Sequence, residues 1–488
     1  MRIAVLNGSP KGETSVTMQY VRYMQKVYPQ HQLELEHVVP RIKKLENDER
    51  AFGEIVDRVR SADGVLWAFP LYYLLVHGSY KRFIELIGER GVQEAFEGKY
   101  AACLSTSIHF FDHAAHNYMH AICDDLGMRY VGAFSPGMTD LLEERGQAQL
   151  AQFAGEFYRA IEEQVATQRS FLPLVAPGLK YVPGPARQPV DTRAKRVVIV
   201  SDAQPHQANL LRMIECFQAS FAQEVTTVNL HDVDIKGGCL GCLKCGYDNI
   251  CEYEGKDGFT DFYRSQLKTA DVLVFAGTMR DRYLSAKWKT FFDRSFFCGH
   301  APSLAGKQFG FLISGPLSQV PNLRQILEAY VQIELCNLAG IVSDEVGDAA
   351  SLDGLLEDLA GRLVRYAEAG YRQPQTFLGV AGTKLFRDEI YGHLRIMFQA
   401  DHRAYRQMGV YDFPQKDWRT RITNAVVTPL LHLRGFREGF KSQIKQGMIQ
   451  PYQKLFQESK PGDTATLDGR PRPHTGDASV VEPRRLRA

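Results

Sequence analysis

With 488 residues the chain is long enough for roughly two to four domains, each with a sizeable core. Apolar residues make up 44% and charged residues 23%, and the formal charge is +2, so nothing in the composition points to nucleic acid or to an acidic membrane surface. No uncharged apolar run approaches the ~18 residues of a membrane span. Met1 to Pro10 opens at once on a short strand and a turn, without the features of a signal peptide, so no transmembrane segment and a cytoplasmic address are expected.

In chain order, apolar runs at 3–6, 33–39, 65–69, 100–104 and 129–134 alternate with helical stretches, the first marked by Val16, Tyr20, Tyr23, Met24 and Val27 at helical spacing. Strands separated by helices predict parallel pairing with both sheet faces covered. About five strands suit a doubly wound, flavodoxin-like sheet. The pattern then repeats. Ala62-Asp63 parallels Ala270-Asp271, a shift of 270 − 62 = 208, and the same shift takes Lys81 to Lys289, Phe83 to Phe291 and Gly98-Lys99 to Gly306-Lys307. The first strands are offset by only 197 − 3 = 194, so the second copy carries 208 − 194 = 14 extra residues before its Ala-Asp pair. The expected fold class is therefore α/β, with two tandem flavodoxin-like doubly wound parallel sheets and a C-terminal helical extension. The expected divisions are 1–167, a Pro/Gly-rich linker 168–194, 195–370, the helical extension 371–458 and a disordered tail 459–488.

Between the first strand and first helix lies Asn7-Gly8-Ser9-Pro10-Lys11-Gly12-Glu13-Thr14-Ser15-Val16-Thr17. Such a turn surrounds an anion with backbone N–H groups, hydroxyls and a positive helix N-terminus. It is equally a common way to cap a helix after a strand. Strand three ends in Pro70-Leu71-Tyr72-Tyr73, then Gly78-Ser79-Tyr80-Lys81-Arg82-Phe83, and strand four in Ser105-Thr106-Ser107, at the sheet edge where doubly wound folds bind ligands. Taken together, NGSPKG, PLYY and the downstream Lys-Arg-Phe resemble the NADPH-dependent FMN reductase family. The resemblance covers most of residues 1–165. It implies FMN held at its phosphate by Ser9, Lys11, Ser15, Val16 and Thr17. It implies a flavin ring flanked by Pro70, Leu71, Tyr72 and Tyr73 and touched by Thr106 and Ser107, with NAD(P)H as electron donor.

The chain has nine cysteines. Cys103, Cys123, Cys216, Cys298 and Cys336 sit among apolar neighbours and read as buried. Cys239, Cys242, Cys245 and Cys251 fall inside the extra interval of the second copy, spaced CxxCxxC then x5-C. Four closely spaced thiols suit a [4Fe–4S] cluster. Structural zinc more often takes two CxxC knuckles across a longer span. The segment, with Asp257, Ala270-Asp271 and Lys289 to Arg294, resembles the iron–sulfur flavoprotein family over about residues 195–345. That resemblance implies the same four cysteines as cluster ligands. The second copy lacks the Gly-Ser-Pro turn, having Ser201-Asp202-Ala203-Gln204, and lacks Pro-x-Tyr, having Thr278-Met279-Arg280-Asp281-Arg282-Tyr283. Asp202 would repel a phosphate. The reading is an intramolecular pseudo-dimer, flavin in the first copy and cluster in the second.

His109, His113, His116 and His120 are read as lining the flavin cleft or the interface between copies, one of them as a proton donor, with a metal site as the alternative. Leu430 to Phe456, with Arg434, Arg437, Lys441, Lys445 and Lys454, is read as a helix packed across both domains, or as a membrane- or partner-binding face. The expected activity is an NAD(P)H-dependent FMN oxidoreductase delivering electrons through flavin and cluster to a small-molecule or protein acceptor. The rivals are a redox sensor or electron carrier without turnover, and a zinc-stapled scaffold. The sequence leaves the acceptor and homo-oligomerisation open.

Overall fold

In this computed structural model, residues 1–185, 188–412 and 417–457 are described. The expected tail 459–488, and Phe413 and Pro414 after Tyr411, lie outside the described residues. Two compact units emerge, Met1–Tyr411 and one beginning at Asp412.

The first unit contains two five-stranded sheets. Strands β1 (Arg2–Asn7), β2 (Gln32–His37), β3 (Gly64–Pro70), β4 (Tyr100–Thr106) and β5 (Arg129–Phe134) pair in the order β2-β1-β3-β4-β5, all parallel. Strands β6 (Val197–Ser201), β7 (Thr226–Asn229), β8 (Val272–Thr278), β9 (Gln308–Ser314) and β10 (Asn337–Ser343) repeat that order as β7-β6-β8-β9-β10. This 2-1-3-4-5 order is the flavodoxin-like one. The central strands β1, β3 and β4 are nearly continuous runs of buried residues, as a sheet covered on both faces requires.

The outer face of each sheet has its own core. Val16–Val27 and Glu144–Glu162 cover the first through Met18, Tyr20, Leu150 and Phe157. Ala208–Ala219 and Ala349–Ala369 cover the second through Leu210, Phe217, Leu356 and Leu363. The inner faces share one core, in which Phe52, Trp67 and Phe83 belong to the same cluster as Trp288, Phe291 and Tyr330. The two sheets, expected as separate domains, are therefore halves of one unit.

The halves meet through Gly78–Glu89 and its counterpart Ala286–Arg294, and the contacts are reciprocal. Asp293 accepts from the Gly78 N–H at 2.6 Å, capping the first helix, and Glu85 accepts from the Ala286 N–H at 2.7 Å, capping the second. Both carboxylates also pair along their own helix, Glu85 with Lys81 at 2.9 Å and Asp293 with Lys289. With 78 + 208 = 286 and 85 + 208 = 293, each contact is the image of the other. The patch is self-complementary, as in a two-fold interface.

The linker is more than a spacer. Tyr181 is fully buried, and its hydroxyl donates to Asp353 at 2.5 Å. The helical extension divides between the units. Phe377–Tyr391 and Gln399–Met408 pack into the first, with Phe386, Ile390, Phe398 and Tyr405 in the shared core. Trp418–Leu430 and Arg434–Gln457 belong to the second. Trp418–Leu430 buries none of its residues, and Phe436, Phe440, Ile444 and Met448 are exposed in the helix that follows. No described helix is long and apolar enough to cross a membrane.

Candidate active site

The turn after β1 is shaped by close approach. A methyl group on Gly8 would lie 2.8 Å from Cβ of Phe69, and Gly12 has φ +57°, so both positions need glycine. Ser9 donates its N–H to Asn7 Oδ1 at 2.9 Å, and Ser15 caps the Val16–Val27 helix by accepting from the Met18 N–H at 3.2 Å. Lys11 is exposed and has no acidic partner among the described residues. An unpaired ammonium beside a helix N-terminus favours negative charge.

This turn forms one end of a cleft of about 480 Å³, within the size range of ligand pockets. Ser9, Lys11, Ser15, Val16, Pro70, Leu71, Tyr72, Tyr73, Thr106 and Ser107 all line it. Thr17, expected at the phosphate, does not. It is fully buried, with its hydroxyl 2.7 Å from that of Thr106, because position 17 faces back toward the sheet. Thr17 thus braces a wall residue instead of forming the wall.

The two tyrosines diverge. Tyr72 and Leu75 pair across a tight turn whose central residues, Tyr73 and Leu74, have φ of 32° and 67°. Positive φ at bulky residues is strained and persists only where the surroundings enforce it. Here the second half does so: the Tyr73 ring stacks parallel to Phe292 at 6.3 Å and meets Tyr330 edge-on at 5.9 Å. Tyr72 points toward the cysteine loop. Burial, with Cys239 adding to it, holds its phenol well above the usual tyrosine range, so it remains a hydrogen-bond donor.

The cysteine loop forms the next wall, through Gly241 and Leu243. A methyl group on Gly241, which has φ +61°, would lie 2.2 Å from Tyr72 Oη and 3.2 Å from Lys11 Cε. His77 fastens the loop from the first half. Its Nδ1 accepts from the Ser79 N–H at 3.1 Å, which leaves Nε2 to donate to the Cys239 carbonyl at 2.8 Å. Behind this wall Cys239, Cys242, Cys245 and Cys251 line one small chamber of about 20 Å³ with Tyr253, Arg294 and Phe296. Arg294 is fixed by a fully buried pair with Asp257 at 2.7 Å. Burial pushes the Cys239 thiol up to about 12, with Asp293 and the thiols of Cys251 and Cys242 adding to it. Cys245 is raised mainly by burial and then by the other three. Gly241, Leu243 and Phe296 line both cavities, so chamber and cleft share a wall.

Around a single tetrahedral zinc, four sulfurs lie about 3.8 Å apart, from a Zn–S bond of about 2.3 Å. Among the described residues no group of three or more His, Cys, Asp or Glu is arranged to hold one metal ion. The remaining cysteines, Cys103, Cys123, Cys216, Cys298 and Cys336, are buried as expected.

Residues 1–138 match the family model of NADPH-dependent FMN reductases. No curated protein matches the chain. Among solved structures, the flavoenzyme NAD(P)H:(acceptor) oxidoreductase FerB from Paracoccus denitrificans is 20% identical, over 33% of this chain and 97% of that one, with a TM-score of 0.29. The apo form of the NADH:FMN oxidoreductase EMOB is 23% identical, over 32% and 87%, with a TM-score of 0.28. An FMN-dependent NADH-azoreductase from Bacillus anthracis, solved with FMN, is 14% identical, over 34% and 99%, with a TM-score of 0.24.

The NADPH-dependent FMN reductase match stops before the second half, whose corresponding edge is built differently. Asn209 stands where the first half has Ser15 (209 − 194 = 15), and Ser314 where it has Thr106 (314 − 208 = 106). Between them sits the buried carboxylate of Asp344, accepting from Asn209 Nδ2 at 2.8 Å, Ser314 Oγ at 2.7 Å and the Gly315 N–H at 2.8 Å. Linker residues close over it: Asn209 also donates to the Leu179 carbonyl at 2.8 Å and accepts from the Tyr181 N–H at 3.0 Å. Asp202 is buried against the Ser285 hydroxyl and raised by burial to about 6. The strand-three loop turns to ion pairing with the first half, Arg282 with Asp125 at 2.6 Å, Arg280 with Glu89 at 2.9 Å and Asp281 with Lys81 at 2.8 Å.

The expectation that these histidines line the cleft is corrected. None of His109, His113, His116 and His120 lines the cleft. Each finds its own neighbour instead. His109 pairs with Asp112 at 2.9 Å, His116 Nε2 lies 2.9 Å from Ser105 Oγ, His120 stacks on Tyr130 at 4.0 Å, and exposed His113 lies against Phe111. Helical spacing put them near one face without fixing what that face meets. The imidazole that lines the cleft is His300, with Phe296, Phe386, Ile390, Leu394, Met397 and Phe398. No motif marks it, since all its neighbours here but Phe296 lie about a hundred residues further along the chain.

Proposed function

We propose that this protein is an FMN-dependent oxidoreductase that takes reducing equivalents from NAD(P)H and delivers them to an acceptor bound in the same cleft. One observation carries the reading. The residues that the FMN reductase pattern assigns to phosphate and ring, Thr17 apart, converge on a single cleft with an unpaired lysine at its phosphate end. FMN would be held there by Ser9, Lys11, Ser15 and the helix N-terminus, with Pro70 to Tyr73, Thr106 and Ser107 along the ring. When bound it supplies hydride chemistry. The chain's contribution is to hold and orient it, and to exclude water with the apolar roof at Phe386 and Phe398.

The second half lends a one-electron centre, a [4Fe–4S] cluster on Cys239, Cys242, Cys245 and Cys251. What supports this reading is the donor chemistry: four thiols face one chamber, the ligand set such a cluster takes. The chamber has room for little more than a water, so the loop, with Cys242 exposed, would have to spread to admit the cluster. The wall shared through Gly241 would keep the two centres close. Asp344 and the linker favour one flavin per chain, in an intramolecular pseudo-dimer.

Anaerobic purification tests the reading. Flavin absorption bleached by NAD(P)H, with four irons and four sulfides per chain, is the expected result. Zinc in place of iron would remove the cluster, and failure to take up FMN would remove the whole proposal. Turnover with NAD(P)H separates an enzyme from a sensor.

A further inference from the structure

The cleft has a roof that the family match does not reach. Its floor comes from residues 1–138, whereas Phe386, Leu394 and Phe398 belong to the segment 377–408. One imidazole reaches the cavity through this roof. His300 and Asp401 are 5% and 3% exposed, with Nδ1 3.0 Å from Asp401 Oδ2. The Tyr405 hydroxyl donates to the His300 carbonyl at 2.6 Å, and the rings of Phe296, Phe386 and Phe398 surround the imidazole at 4.2, 4.7 and 4.7 Å. Nε2 has no protein partner among the described residues, while the residue lines the cleft. Aspartate on Nδ1 fixes the ring so that Nε2 is the end presented to a ligand.

We propose that the 377–408 segment and His300 form the acceptor site, suited to a flat, largely apolar molecule carrying a carbonyl oxygen, and that His300 Nε2 gives that oxygen its proton. The inference rests on the FMN reading above. The acceptor gains two electrons and one hydrogen as hydride from reduced FMN, and the second hydrogen as a proton from His300. The hydride forms one new bond to the acceptor's conjugated carbonyl system, the displaced π pair moves onto the carbonyl oxygen, and that oxygen bonds the proton; oxidised FMN is left, and the neutral imidazole recovers its proton from water. Asp401 is a positioning residue.

The test uses FMN-loaded, full-length protein as wild type, His300→Gln, Asp401→Asn and Asp401→Glu. Bleaching of the flavin by NAD(P)H needs no acceptor and is recorded for all four, so that every reoxidation is read from fully reduced protein. A wild type that takes up no FMN sinks the parent reading. Reoxidation is then followed with 1,4-naphthoquinone, which takes up protons, and with ferricyanide, which takes up only an electron. His300→Gln is expected to slow the quinone reaction about 100-fold and to leave ferricyanide unchanged. Asp401→Asn should slow it about tenfold through kcat with KM held, and Asp401→Glu should restore most of it. Equal losses with both oxidants, or none with either, overturn the proposal while leaving the FMN reading intact. A readout without turnover is the binding of 4-nitrophenol to the oxidised holoprotein, followed by the ligand's own absorption. His300→Gln should bind it about tenfold more weakly, the loss of one hydrogen bond, and equal affinity would also overturn the proposal.

Discussion

Gly241 is held in a left-handed conformation with its missing side chain pointing at the Tyr72 hydroxyl 2.2 Å away. Gly241→Ala has to move the cysteine loop or Tyr72, at a cost of about 1–3 kcal/mol. We expect a lower urea midpoint together with weaker FMN retention, read by flavin fluorescence. Unchanged retention would mean that the loop does not close the cleft. Lys11→Ala removes charge without disturbing any ion pair among the described residues, so FMN affinity should fall roughly tenfold or more with the melting temperature of the apoprotein unchanged. Glu334 offers a test of pH dependence. It is fully buried, accepts from the Ser303 and Leu304 N–H groups at 2.9 and 3.1 Å, and burial raises it from 4.5 to about 7. An acid raised in the folded state binds its proton more tightly there than in the unfolded chain. Its contribution is therefore complete below about pH 4.5 and is lost as pH rises toward 7. Glu334→Gln should flatten that part of the stability–pH curve and gain roughly 3 kcal/mol at pH 8, at about 1.4 kcal/mol per unit. A parallel curve for the variant would assign the pH dependence elsewhere.

Between Gly78–Glu89 and Ala286–Arg294, each helix has its N-terminus capped by an acid from the other, and each acid holds a buried lysine of its own helix. Asp293→Asn leaves Lys289, fully buried, without its counter-charge, and should cost about 3–5 kcal/mol in chemical denaturation. Replacing Lys289 and Asp293 together by Met and Leu should recover most of that loss. If it does not, the cap on Gly78 is worth more than the pair. At this scale the sequence was most legible where chemistry and chain order coincide. The turn after β1 could be read because glycines, hydroxyls and a lysine lie side by side at a strand–helix junction. The thiol cluster could be read because its members are neighbours in sequence. The reciprocal caps could not, although the shift of 208 aligned their residues, because two matching helices need not touch. The same limit hid His300 and Asp401, which are joined only when 377–408 folds back over the cleft. It also sent Thr17 to the wrong side of its helix.

Across the whole molecule, aromatic packing from both halves and from 377–408 merges into one core. The first unit should therefore unfold in a single step, with loss of helical signal, tyrosine environment and flavin retention superimposed. A fragment ending at 167 would expose the inner face of Gly78–Glu89 and leave Lys81 without Asp281, so it should self-associate, as light scattering would report. Separate transitions for the two sheets would contradict a common core. Two tandem sheets of one topology were legible in the repeated strand pattern. That they share an interior was not, because hydrophobic periodicity identifies the face a helix buries without naming what lies against it. Asp344 has a consequence of a different kind. Two identical subunits joined by the same helix faces would have to carry two identical clefts, and any residue placed in one would appear in the other. Once both copies lie on one chain, a carboxylate can occupy one binding edge while its twin stays open. Asymmetry that no homodimer could encode becomes heritable, and saturation with FMN should stop at one equivalent per polypeptide.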